Sequence, residues 1–356
     1  MVECGIQQLE RNGLGPSPRR RGLRGEGGRG GHWLYLTPKL GQNSPMETKS
    51  YNTALIVLII GACIIGFAPI LVRLSSAGPA ATGFWRMLIA LPLLALLTRP
   101  SKTAPPIPGL DFSLKSPPSL VALLAGLAFA ADLAFWHYGI AHTTVANATA
   151  LSNLTPIVVT AVAWIVFREV PQRLFLVGLV LAISGAFTLA HGAASAAHGR
   201  NTVLGDALSV GTALWYALYF LAVRKARQSA SAPLVMFWSS LVAAPVLLVV
   251  ALALREPLLP TTLIGAVACV GLAGVHVAGQ GSIAWALGRL PTATTALVVL
   301  VQPVVAACVG WILFAEAIGP WQLLGGALTL SGVALAQWSS SRAAQQAPGL
   351  GTAPNT

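Results

Sequence analysis

The sequence predicts an all-α integral membrane protein of ten transmembrane helices, arranged as two inverted five-helix repeats. Three observations carry this: an apolar composition, an internal repeat and an uneven distribution of Lys and Arg. Hydrophobic residues make up 55% of the chain and charged residues 9%, and the mean hydropathy is +0.72. That leaves too little polar surface for a water-soluble protein of 36.8 kDa. The apolar runs are long and continuous and do not alternate, so each crossing is a helix of about 20 residues.

The repeat is visible without gaps. Pro156 to Gly185 aligns with Pro303 to Gly332 at a constant offset of 147. Trp164-Ile165-Val166-Phe167-Arg168-Glu169 returns as Trp311-Ile312-Leu313-Phe314-Ala315-Glu316, and Gly178, Ser184 and Gly185 return as Gly325, Ser331 and Gly332. Apolar helices match by chance in Leu and Ala, but Pro, Trp, Glu and Ser-Gly together point to duplication. Further upstream, Phe84-Trp85-Arg86 and Pro92 correspond to Phe237-Trp238-Ser239 and Pro245, at an offset of 153.

In chain order the expected spans are Thr53 to Leu74, Pro79 to Thr98, Leu120 to Ile140, Thr144 to Phe167 and Leu174 to His191. The second half supplies Val203 to Val223, Pro233 to Leu254, Leu263 to Leu287, Thr292 to Phe314 and Trp321 to Trp338. Short connections such as Ser75 to Gly78 and Arg168 to Arg173 imply hairpins of adjacent antiparallel helices. Arg99 to Ser119 and Gly192 to Thr202 are the longer ones. Five spans per half is an odd number, so the second half enters from the opposite side of the membrane.

Orientation follows from the basic residues. With the N-terminus inside, Lys49, Arg99, Lys102, Lys115, Arg168, Arg173, Arg224, Lys225, Arg227, Arg289 and Arg342 are cytoplasmic, and only Arg73, Arg200 and Arg255 are external. This positive-inside signal places both termini in the cytoplasm. It also accounts for much of the net charge of +12, so no nucleic-acid partner is needed to explain it.

Residues 1–52 read as a basic extension, rich in Gly and Arg and containing Arg19-Arg20-Arg21, with no apolar core for a signal peptide. A basic arm that binds acidic lipid or nucleic acid is one reading. The favoured one is a disordered tail, or upstream sequence if synthesis starts at Met46, because such composition supports no packed core. Residues 53–191 form the first repeat, 203–338 the second, and 339–356 a disordered tail.

No cofactor is expected. The chain lacks a GxxxxGK[ST] phosphate loop, HExxH and GxSxG. Cys4, Cys63, Cys269 and Cys308 show no metal-ligand spacing, so no metal site is expected either.

Polar residues inside spans then carry the functional argument, since ionisable groups there are costly. Arg86 lies about 10 Å below the external start of its span at ~1.5 Å per residue, and Asp132 lies at nearly the same depth in the next span. They are candidate gating or coupling residues, either as an ion pair or singly, with Arg86 snorkelling to headgroups and Asp132 facing water in a cavity; an unpaired Asp132 in an apolar site would instead be able to carry a proton. Near the midplane, Asn147 and Asn153 (beside Thr155-Pro156), Trp215, Tyr216, Tyr219, His276, Gln280 and Gln302 (beside Pro303), together with Trp136, are candidate substrate-binding residues. A proline frees a helical carbonyl, which needs polar surroundings in the membrane. Interhelical hydrogen bonding is the alternative for any single one. Glu169 and Glu316 end paired helices at the interface and are read as structural.

Phe67-Ala68-Pro69 in span one, Arg86 in span two, and the segment from Asn147 to Glu169 with its second copy resemble the EamA branch of the drug/metabolite transporter superfamily, over about residues 53 to 338. The resemblance implies a secondary transporter that exports or imports amino acids, purine-like metabolites or drugs across the bacterial inner membrane; an exporter of amino acids or related amphipathic compounds is the favoured reading. The expected partners are the metabolite and the lipid bilayer, with movement driven by proton exchange or by the solute's own gradient. It also implies a cavity between spans one, three, four, six, eight and nine. Ser239 stands where the second half would match Arg86, so the halves differ there. An intramembrane enzyme and a non-transporting scaffold are the competing classes; the first needs clustered catalytic groups, and the second needs no polar residues in the spans.

Overall fold

A computed structural model describes residues 45–98, 118–143, 148, 151–168, 170–193, 202–314 and 318–346. The Asn147, Glu169 and Glu316 positions and most of both terminal segments lie outside the described residues.

The first span is two helices, α1 (Pro45–Ile65) and α2 (Ala68–Leu74), interrupted at Gly66 and Phe67. Pro69 lacks an N–H and crowds the preceding turn, which ends α1. Gly66 is required where the chain turns: a Cβ there would stand 2.6 Å from that of Val305. The next elements are α3 (Pro79–Leu97), α4 (Leu120–His142), α5 (Thr155–Phe167) and α6 (Arg173–Ala193). Pro79 opens α3 at a position where no N–H is missed, and the Ser119 hydroxyl caps α4 by accepting from Ala122 N at 3.2 Å.

The second half contains α7 (Thr202–Ala226), α8 (Ala232–Ala253) and α9 (Leu263–Val275), the last running through a π-helical turn, His276–Gln280, into α10 (Gly281–Leu287). The chain ends with α11 (Thr292–Val298), α12 (Val301–Phe314) and α13 (Pro320–Gln346). Ser231 and Thr262 cap α8 and α9 through their hydroxyls.

Among the described residues, eight segments are long and apolar enough to cross a membrane. They coincide with the first three expected spans and the fifth through ninth. The fourth is described as a helix only over the shorter apolar piece Thr155–Val166. The tenth lies within α13, whose 27 residues include Gln322 and Gln337, which dilute its hydropathy. Large aliphatic side chains cover the lateral surface: Ile165 is 76% and Leu263 81% exposed, an arrangement that hydrocarbon solvates and water does not.

The most intimate helix pair is α6 with α13, packed antiparallel. A Cβ added to Gly178 would stand 2.7 Å from the Gly332 carbonyl oxygen, and one on Gly332 would stand 2.6 Å from that of Gly178. Gly185 and Gly325 are in the same reciprocal relation, and the Thr329 hydroxyl lies 3.4 Å from the Ala182 carbonyl. Small residues let these backbones touch. Elsewhere α4 packs on α7 and α8, and α3 on α8.

A loop from the second half fastens the start of α3. The Glu256 carboxylate accepts from Ala80 N at 3.2 Å, from Ala81 N at 2.9 Å and from the Tyr138 hydroxyl. Trp85 donates its indole N–H to the Leu258 carbonyl at 2.7 Å.

Candidate functional site

Three interrupted helices meet around a cavity of about 100 Å³. Besides the break before Pro69, the chain turns at Asn153 and Leu154 before Pro156, and at Val299 and Leu300 before Pro303. The residue four positions before each proline, Ile65, Ser152 and Val299 in turn, lines the cavity. A proline leaves that carbonyl without its helical donor. Two of the three find local replacements: the Thr155 hydroxyl donates to Ser152 O at 2.7 Å, and Gln302 N donates to Val299 O at 2.9 Å. The breaks therefore hold their shape without a ligand.

The lining repeats at one separation. Leu133 and Gln280, Ser152 and Val299, Asn153 and Leu300, Thr155 and Gln302, and Pro156 and Pro303 are each 147 positions apart, and all ten border the cavity.

Seven of the residues singled out in the sequence share this cavity: Arg86, Asp132, Trp136, Asn153, Tyr216, Gln280 and Gln302. The Tyr216 hydroxyl and the Gln280 amide lie 3.4 Å apart. Arg86 and Asp132 are 3% and 6% exposed, which makes them opposite charges with almost no access except through the cavity. Among the described residues no ion pair joins them. The Arg86 guanidinium lies instead 5.7 Å from the centre of the Phe129 ring, a cation–π distance, and its Nε is buried without an acceptor. The side-chain nitrogens of Asn153 and Gln302 are likewise buried and unpartnered.

Three expected residues stand outside the lining. Trp215 is turned about 100° from Tyr216 on α7 and meets the edge of Phe135 at 6.2 Å. Tyr219 lies one turn on, parallel to Tyr216 at 6.0 Å and stacked on Phe129 at 4.5 Å; its hydroxyl contacts Met236 Sδ at 3.3 Å. His276 is buried, 3.0 Å from the Ser240 hydroxyl and stacked on Phe129 at 5.3 Å. Gln280, at the end of the π turn His276–Gln280, reaches the cavity, and His276 does not. Tyr219 and His276 form a layer behind the wall.

The structure adds Phe129 and Thr212 to the lining. Their signal was present: Phe129 precedes Asp132 by three positions and Thr212 precedes Tyr216 by four, the spacings of one helix face. No metal-binding cluster of His, Cys, Asp or Glu occurs among the described residues.

The sequence pattern of the EamA-like transporter family matches residues 52–190 and again residues 203–338. The chain belongs to the EamA-like transporter family. It is thus a multi-pass membrane protein of drug/metabolite transporter type, with lipid around it and a small molecule as its cargo class. A solved crystal structure resembles this EamA chain at a TM-score of 0.66 and 15% identity, over 83% of this chain and 99% of the other. That likeness concerns the fold alone. No curated protein sequence gives a significant match.

Proposed function

We propose that this EamA protein is a secondary exporter of small amphipathic metabolites, amino acids among them, that works by alternating access across the bacterial inner membrane. In this reading ten helices cross the membrane as two inverted five-helix repeats, 53–191 and 203–338, with both termini cytoplasmic and Gly192 to Thr202 external. The single observation that carries it is the cavity, whose walls come from both halves at a constant separation of 147 positions. A site built on such an axis is contacted equally by two halves that rock against each other.

The lining chemistry supports the cargo class. A buried cation, Arg86, and a buried carboxylate, Asp132, border one small space without pairing, so a solute carrying both an acceptor and a donor group compensates both. Trp136, Tyr216 and Phe129 offer ring surface for an apolar body. Asp132 is the proton-exchanging group in the same reading.

The test is flux of radiolabelled amino acids in proteoliposomes, with and without an imposed proton gradient. Counterflow that needs the protein and that responds to the gradient is expected. A protein that binds these solutes but never moves them overturns the transport reading, and a reporter at residue 196 found in the cytoplasm overturns the orientation.

A further inference from the structure

At the ends of the membrane-crossing segments, the structure gathers basic side chains that the transport cavity does not use. Arg224 and Lys225 close α7, Arg227 follows it, and Arg289 lies in the turn after α10. Arg227 is buried, 7% exposed; its Nε donates to Ala284 O at 3.1 Å and its Nη1 to Ala230 O. Arg289 is exposed, donates to Trp285 O at 3.1 Å and lies over the Trp285 ring at 3.7 Å. Arg224 donates to Leu290 O at 2.8 Å.

Helix capping does not account for this much charge. A helix C-terminus presents roughly half a negative charge, whereas three guanidiniums converge on the end of α10. Among the described residues no carboxylate pairs with Arg227 or Arg289. The two repel one another: Arg227 is held at about 10, below the ordinary arginine range, first by burial and then by the charge of Arg289. Gly288 lets the turn close onto this pair, since a Cβ there would stand 2.8 Å from Arg227 Nη2.

The cluster also sits at a defined depth. It joins the ends of two apolar spans, Val203–Ala226 and Leu263–Leu287, beside a half-buried Trp of the kind that marks the headgroup layer. Guanidinium forks match phosphate oxygens, and basic residues at this level attract anionic lipid by about 1 kcal/mol each.

We propose that Arg227 and Arg289, flanked by Arg224 and Lys225, form a binding site for the headgroup phosphate of an anionic phospholipid. The bound phosphate supplies the negative charge that Arg227 and Arg289 do not meet among the described residues, and it locks the turn after α10 to the end of α7.

The full chain in nanodiscs of phosphatidylcholine, with and without phosphatidylglycerol of the same acyl chains, tests this by thermal unfolding and native mass spectrometry. Phosphatidylglycerol should raise the Tm by a few degrees and remain bound. Arg289→Gln changes an exposed side chain; it should keep the parent Tm in phosphatidylcholine, lose most of the increment and retain phosphatidylglycerol about tenfold more weakly. Arg227→Lys keeps the charge but not the fork and should fall between. No increment from phosphatidylglycerol, an undiminished increment in Arg289→Gln, or an equal increment from millimolar inorganic phosphate in phosphatidylcholine discs overturns the assignment.

Discussion

Phe129 and His276 stack on one another, with ring centroids 5.3 Å apart and planes inclined by 24°, and they stand 147 positions apart in the chain (276 minus 129). That is the separation between Pro156 and Pro303, and the proposed duplication pairs the two rings as equivalents. Thr329 and Ala182 make a second such contact at the same separation. Contacts between equivalents are what a two-fold axis produces, and they support the proposed duplication. The rings then differ in what they hold. Phe129 carries Arg86 on its face, and His276 bonds to Ser240. In the proposed two-fold arrangement, the halves have diverged in charge where these rings meet.

Phe129→Ala should be strongly destabilising. The ring is fully buried between Arg86, Tyr219 and His276, and its loss leaves a void at the joint between halves, at a cost of about 3 kcal/mol. Chemical unfolding in detergent micelles measures this. A stability equal to the parent's would show that the stack is not a structural joint.

Asn153→Leu and Gln302→Leu should move stability and binding in opposite directions. Each amide nitrogen is buried without an acceptor, an arrangement that costs about 1–3 kcal/mol, so Leu should leave the Tm unchanged or raise it. If these amides serve a solute, affinity should fall about tenfold. Thermal unfolding and solute binding on the same preparations decide the matter, and lower stability with undiminished binding would make both residues structural.

Much of the architecture was legible because the membrane leaves so few solutions. Apolar runs fixed the spans, and the prolines at 69, 156 and 303 marked the interruptions that surround the cavity. Facing was less legible. Trp215, Tyr216 and Tyr219 lie within five positions of each other, yet helical rotation sends only Tyr216 into the space. His276 and Gln280 both fall near the midplane of one span, yet only Gln280 lines the cavity while His276 packs behind it on Phe129. The relation of Arg86 to Asp132 was also beyond the sequence, since matching depth says nothing of azimuth. The structure puts both in one cavity while Phe129 takes the cation.

Two glycine substitutions should have opposite outcomes. A Cβ at Gly325 would stand 2.2 Å from Leu189 N, a rigid backbone atom in α6, whereas a Cβ at Gly274 would meet nothing within 4 Å. Gly325→Ala must push α6 and α13 apart and should lower the Tm clearly, by the equivalent of about 1–3 kcal/mol. Gly274→Ala replaces glycine inside a helix in open space and should be neutral or stabilising by about 0.5–1 kcal/mol. The pair is informative because the chemical change is identical. Equal effects at both sites would mean that the close approach of α6 and α13 is not what holds them together.

Arg86 and Asp132 should couple more strongly when the cavity is occupied. No ion pair joins them among the described residues, so in the empty protein Arg86→Gln and Asp132→Asn should show only the through-space coupling of two buried charges. A bound solute that compensates both charges links them, so each single substitution should weaken binding by about 1–3 kcal/mol, roughly fivefold to 150-fold. The double variant should then lose less than the sum, because the second substitution removes a contact the solute has already failed to complete. Two cycles on the same four proteins, one in thermal unfolding without solute and one in binding, separate the cases. Coupling in the empty protein as strong as that in binding would mean a direct structural pair. Additivity in both would mean that the two charges serve different steps, and the solute would then have to be placed against only one of them.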